Sequence, residues 1–331
     1  MLVLVYLFGT LTQVFGFYAK WGVWNPTVPG WYPGGKGWIP PFNGFAGVSD
    51  GWPGKPKRIL DLAWLVLPSS CGQRYISTLS TATGEPLTES RVFIVGGREA
   101  IPNSWPWQVS IKKNGGHWCG GSLINNQRVL TSAHCNFTDS SDNFIERVIL
   151  GEHDLTRRSG REVVRSAIIF SYPNYDPVRL SYVNDIALLK LSFPVKLNMF
   201  IYPICLPYPG TVFTPADACW ATGWGETRGT GEATRLNEIR LPVTSNEECA
   251  IGRRPYHILK THICGGTGAT GVCFGDSGGP YSCLRRGQYQ WELAGIPALT
   301  TWTCMSEGEP NVFTRVSEFM HWIVHTILQN T

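Results

Sequence analysis

Three short patterns in this 331-residue sequence carry side chains able to do acid–base and nucleophilic chemistry. They are Thr131-Ser132-Ala133-His134-Cys135, Asn184-Asp185-Ile186-Ala187-Leu188-Leu189 and Gly275-Asp276-Ser277-Gly278-Gly279-Pro280. Histidine titrates near neutral pH and can take up and return a proton. Taken alone, a histidine such as His134 is more often a satisfied or surface residue than a base, and Asn184-Asp185-Ile186 reads as a turn entering a strand. The third pattern says more. Glycines flanking a serine describe a backbone in unusual dihedrals with little side-chain bulk. An exposed nucleophile beside an anion-binding nest of N–H groups needs such a backbone.

Together the patterns run His, Asp, Ser, and in that order they resemble the chymotrypsin family of serine proteases, over residues 94–331 and back to Cys71. The resemblance implies a role for each residue. Ser277 is the nucleophile on a peptide carbonyl. His134 takes its proton and returns it to the leaving amine. Asp185 fixes the histidine tautomer and stabilises the imidazolium. The N–H groups of Gly275 and Ser277 bind the developing oxyanion. No cofactor and no metal are implied.

Ile94-Val95-Gly96-Gly97, 40 residues before His134, resembles the mature N-terminus of these enzymes. The resemblance implies that a freed Ile94 ammonium pairs with Asp276 and orders the oxyanion loop. Before the cut, His117 and Ser110 match the positions that hold this carboxylate in zymogens. The chain departs from the family at the bond itself, which reads Arg91-Val92-Phe93-Ile94. A cut after Arg91 leaves two extra residues, too many for a buried ammonium. Cleavage after Phe93 by an aromatic-preferring protease is expected, this enzyme itself included.

Family alignment places Gly271 at the floor of the specificity pocket and Thr300 and Asn311 on its walls. Without a carboxylate at the floor, a basic side chain would enter unpaired. Preference for Arg or Lys is therefore not expected; chymotrypsin-like and elastase-like preferences both stay open. Beside the pocket, Ala298-Leu299-Thr300 replaces the family's Ser-Trp-Gly. The lost serine hydroxyl would bond the triad aspartate. Such a bond to a charged group is worth about 1.5–3 kcal/mol, at most about a hundredfold in rate.

Ten cysteines, an even count, favour disulfides in an oxidising compartment over metal ligation. Counting alone allows about 945 pairings. The resemblance implies Cys119–Cys135, Cys219–Cys283, Cys249–Cys264, Cys273–Cys304 and Cys71–Cys205, the last keeping the pro-segment attached after cleavage. Glu152 and Glu162 match the carboxylates of a calcium loop in some relatives, but Arg157, Arg158 and Arg161 beside them repel a cation. Asn136-Phe137-Thr138 is a glycosylation sequon.

The elements that must position these residues are short apolar runs between turn residues: Trp107–Lys112, Val148–Leu150, Val163–Ile169, Ile186–Leu191 and Trp291–Ile296. Such runs predict an all-β fold. The resemblance sharpens this to two six-stranded antiparallel barrels with the active site between them. A C-terminal helix is predicted from Phe319, Trp322, Ile323 and Ile327, with Ser317 as N-cap. Ahead of this domain lie a signal peptide over residues 1–19, which is apolar but short of a spanning length, and residues 20–70, rich in Trp, Gly and Pro. That composition packs no core and reads as a disordered pro-region. The apolar run Ile59–Leu67 carries Asp61 and is too short to span. Residues 71–93 form the activation peptide.

Charged residues make up 16% and the net charge is +4, which gives no reason to expect nucleic acid or a membrane as partner. The expected partners are protein or peptide substrates and an activating protease, around a secreted, extracellular monomer. The altered strand at Ala298 leaves a second reading: a catalytically weak or inactive homologue serving as a binding or matrix protein. A third places the activity in the Trp/Gly/Pro segment, as an adhesive protein.

Overall fold

The computed structural model describes residues 62–76, 97–136, 143–176, 183–227, 233–252, 257–268, 270–299, 304 and 308–331. The expectations for residues 1–61, for Ile94 and for Thr300 lie outside the described residues. The architecture is mostly β. Strand β1 is Arg98–Glu99, β2 Gln108–Lys113, β3 Gly116–Asn125, β4 Arg128–Thr131, β5 Phe144–Leu150, β6 Val163–Ser171 and β7 Ala187–Leu191. The second half supplies β8 Ala218–Gly223, β9 Asn237–Arg240, β10 Val243–Thr244, β11 His262–Gly265, β12 Tyr281–Leu284, β13 Trp291–Leu299 and β14 Asn311–Arg315.

Strands β2-β3-β4-β7-β6-β5 close into a six-stranded antiparallel barrel. The hairpin between β2 and β3 turns on Asn114 and Gly115, whose φ values of 51° and 81° match the right-handed twist of the flanking strands. The second half is a curled sheet in the order β1-β9-β8-β12-β13-β14-β11-β10. Its six longer strands are the second set the resemblance implies, and the two-residue strands β1 and β10 lie at its edges. The barrel core includes Val109, Leu123, Val129, Leu188 and Leu189, all fully buried. The sheet has its own cluster around Tyr281 and Phe313, whose rings stack at 4.3 Å.

The C-terminal helix runs Met320–Gln329. Met320, Ile323 and Ile327 join the core that also fills the barrel. Ser317 does not cap the helix. It lies in a 3-10 turn, Val316–Glu318, and its hydroxyl donates to the Thr211 carbonyl at 3.1 Å. That tertiary acceptor holds Ser317 inside the preceding turn, so the helix starts after Phe319.

The described chain begins inside the Trp/Gly/Pro-rich segment. Ala63–Val66 forms one helical turn, Asn125 Nδ2 donates to the Val66 carbonyl at 2.9 Å, and Val66 and Leu67 pack on the barrel core. Both belong to the apolar run Ile59–Leu67 near the end of the segment, which differs from the Trp, Gly and Pro before it. Further on, the Arg74 guanidinium lies 3.7 Å over the Trp105 ring, and its Nε donates to the Ser104 carbonyl at 2.6 Å. Glu238 faces it at 4.0 Å, bonds Arg98 at 2.6 Å and accepts from Trp105 Nε1 at 2.7 Å. Burial outweighs Glu238 and pushes the Arg74 pKa down to about 9.

The cysteines form five disulfides: Cys71–Cys205, Cys119–Cys135, Cys219–Cys283, Cys249–Cys264 and Cys273–Cys304. None is free. Among the described residues no helix is long and apolar enough to cross a membrane.

Candidate active site

His134 sits in a single 3-10 turn, Ala133–Cys135, just after β4. The Cys119–Cys135 disulfide ties this turn to β3. Asp185 lies in the turn before β7 and is fully buried, whereas His134 keeps 24% of its side chain exposed. The carboxylate holds the histidine twice: Asp185 Oδ2 lies 2.6 Å from His134 Nδ1, and Oδ1 accepts from the His134 backbone N–H at 2.9 Å. With Nδ1–H engaged, Nε2 is the nitrogen left to accept a proton. Burial disfavours the imidazolium, but the charge and hydrogen bond of Asp185 outweigh it and raise the His134 pKa above 6.5. The Asp185 turn is itself anchored, because Thr314 Oγ1 on β14 donates to the Asp185 carbonyl at 2.9 Å.

Ser277 lies in the loop before β12, and its carbonyl accepts from Gly120 N–H on β3 at 2.7 Å. The glycines around it are required by crowding. Gly275 has φ 99°, and a β-carbon there would stand 3.0 Å from Gly225 Cα. Gly278 has φ 76°, and a β-carbon there would collide with Thr131 Oγ1 and the Gly120 carbonyl. Among the described residues, the N–H groups of Gly275 and Ser277 donate to no protein acceptor.

Asp276 points away from this face into the interior and is 4% exposed. Its carboxylate accepts from Gly225 N–H and Cys273 N–H, each at 2.8 Å. Desolvation nevertheless pushes its pKa up to about 6, against the pull of those two bonds. His117 does not hold this carboxylate. It accepts from Ser110 Oγ at Nδ1, 2.8 Å away, and its Nε2–H donates to the Gly275 carbonyl at 2.9 Å. Burial drives its pKa down to about 4. A neutral ring is a poor partner for a buried carboxylate, and here it braces the carbonyl of Gly275.

A family model described as Trypsin matches residues 94–323, more than half of the chain. The chain belongs to the trypsin family. It is therefore a trypsin-like serine protease, a hydrolase with protein substrates.

Two departures within this trypsin-family domain are visible in the structure. Ala298 is buried in β13, where the pairing with β14 shifts register between Pro297 and Leu299. It brings no hydroxyl to Asp185. Gly271 lies directly under Asn311, and a β-carbon at 271 would collide with the Asn311 amide. That buried amide accepts from Val272 N–H at 3.1 Å and donates to the Gly265 and Thr270 carbonyls at 3.3 and 3.2 Å. The site so formed has an amide, not a charge, beside Gly271.

Glu152 and Glu162 each have a protein partner. Lys112 Nζ pairs with Glu152 at 3.0 Å, and Glu162 accepts from Ser159 and Gly160 N–H at 2.6 and 2.9 Å. Arg161 reaches Asn103 Oδ1 at 3.2 Å. Asn136 is half-buried next to the histidine turn, its Nδ2 3.5 Å from Ser171 Oγ. Sequence reasoning missed Thr314, because a threonine in a β-strand carries no local sign of the distant carbonyl it will meet.

Proposed function

We propose that the protein is a secreted serine endopeptidase zymogen that hydrolyses peptide bonds through an acyl-enzyme, with chymotrypsin- or elastase-like specificity. The observation that carries this reading is the doubly bonded His134–Asp185 pair beside a serine loop whose Gly275 and Ser277 N–H groups have no protein acceptor among the described residues. In this reading Ser277 Oγ attacks the substrate carbonyl as His134 Nε2 takes its proton. The oxyanion settles between the N–H groups of Gly275 and Ser277. His134 then protonates the leaving amine, and a water repeats the sequence to free the acid. Asp185 holds the tautomer and favours the imidazolium.

The uncharged amide of Asn311 at Gly271 argues against Arg or Lys before the scissile bond. A guanidinium or ammonium buried there would lack a counter-charge. Five disulfides support an oxidising, extracellular setting, with residues 1–19 as signal peptide and Asn136 as a glycosylation site. Activation is by cleavage between Phe93 and Ile94, and Asp276 receives the freed ammonium.

A fluorophosphonate probe tests the core of this reading. The processed protein should be labelled and Ser277→Ala should not. Wild-type protein beginning at Ile94 that takes no label would overturn it. N-terminal sequencing of the active form tests the activation bond, and an active enzyme beginning at Val92 would refute that part.

A further inference from the structure

Ser132 stands at the N-cap position of the histidine turn, with φ −79° and ψ 147°, yet its side chain does not cap that turn. The hydroxyl is fully buried and donates across to the Pro297 carbonyl on β13 at 2.8 Å. A serine at an N-cap ordinarily turns its oxygen to the free N–H groups of its own helix. Here the local bond is forgone for one 165 residues away.

Three parts of the site meet at this residue. Two residues on is His134. The backbone nitrogen of Ser132 lies 3.2 Å from where a Gly278 β-carbon would be, so the turn directly following the nucleophile packs on it. Pro297 immediately precedes Ala298, at the register shift in β13. Thr314 completes the arrangement from the opposite side, donating from β14 to the Asp185 carbonyl. One buried hydroxyl thus ties the histidine turn to the sheet, and another ties the aspartate turn to it.

We propose that Ser132 is a positioning residue for catalysis: through Pro297 its hydroxyl locks the histidine turn to β13, fixing His134 relative to Ser277 at a site where residue 298 offers no hydroxyl. The proposal rests on the peptidase reading above and deepens it. Ser132 touches no reacting atom. Its effect is on the distance and angle between the imidazole and the nucleophile, to which proton transfer is sensitive.

The test is steady-state kinetics of processed Ser132→Ala on a peptide substrate, with active sites counted by fluorophosphonate titration. A hydrogen bond between neutral groups supports a loss of about five-fold in kcat per titrated site, with KM little changed. The acid limb of kcat/KM should also move down, because a looser Asp185 contact favours the imidazolium less. The control is Ser317→Ala, which removes a like bond to a carbonyl at the 3-10 turn before the C-terminal helix; it should lower Tm and leave kcat per titrated site alone. Ala298→Ser added to Ser132→Ala should recover part of the loss. Where Ser132→Ala does not fold, Ser132→Thr against the isosteric Ser132→Val isolates the hydroxyl, and Thr should be the faster.

Unchanged kcat per site and an unchanged acid limb would overturn the proposal. So would an equal loss in Ser317→Ala, or equal rates for Thr and Val. A wild-type enzyme that takes no label strikes the peptidase reading itself, whereas a labelled wild type with an unaffected variant strikes only the role of Ser132.

Discussion

At the scale of single residues, the site works through opposed pressures on neighbouring charges. His134 is raised and His117 lowered, although both are histidines near the serine loop. The difference is the buried carboxylate that His134 has and His117 lacks. In the proposed mechanism His134 acts as a base only when neutral, so kcat/KM should climb with pH through an acid limb lying above 6.5, the ordinary histidine value. A pH profile with that limb below 6 would contradict the Asp185 contact. Asp185→Asn should leave the fold intact but cut kcat by about 10⁴-fold, because an amide cannot hold the productive tautomer. Asp276 gives a further prediction. Its folded pKa of about 6 exceeds the 3.8 of a free aspartate. Its favourable contribution is thus full below pH 3.8 and is lost as pH rises through 6, leaving a cost of about 2–3 kcal/mol above that. An ammonium released at Ile94 would cancel that cost. The Tm of the cleaved chain minus that of the uncleaved chain, both carrying Ser277→Ala, should therefore widen as pH rises through 6. A difference flat with pH would rule out the pairing.

At the scale of elements, the strands were legible as short apolar runs: Val148–Leu150, Val163–Ile169 and Trp291–Ile296 fall inside β5, β6 and β13, while Trp107–Lys112 and Ile186–Leu191 each begin one residue before β2 and β7. Their ends were less so, because pairing, and not composition, decides where a strand stops: β5 extends back to Phe144 by pairing with Ile168. The helix cap was misread for a related reason. Ser317 had the right spacing, but a carbonyl 106 residues away took its hydroxyl. The glycines of the serine loop could be recognised from sequence as a special backbone; the atoms that crowd them could not. Glu238 was invisible for the same cause, since Arg74, Arg98 and Trp105 converge on it only after β1 pairs with β9. Glu238→Ala would leave two buried or half-buried guanidinium groups without a counter-charge among the described residues. We expect it to cost about 3–5 kcal/mol of stability, measurable by chemical denaturation; a loss below 1 kcal/mol would show the cluster to be replaceable.

At the scale of the whole molecule, selectivity and processing are the observable outcomes. Given the amide at Gly271, a peptide panel with Ala, Leu, Phe or Arg before the cut should leave the Arg peptide intact, and efficient cleavage after Arg would refute the pocket reading. The Cys71–Cys205 bridge and the Arg74 stack lie on the upstream side of the proposed activation bond and grip residues downstream of it. A cut at Ile94 would therefore yield two chains that travel as one. Dilution does not part them, because reassociation across a covalent bridge is unimolecular. Anything the Trp/Gly/Pro stretch adheres to would thus have the mature protease leashed beside it, at a local concentration set by the length of chain between residue 20 and Cys71 and not by how much enzyme is in solution.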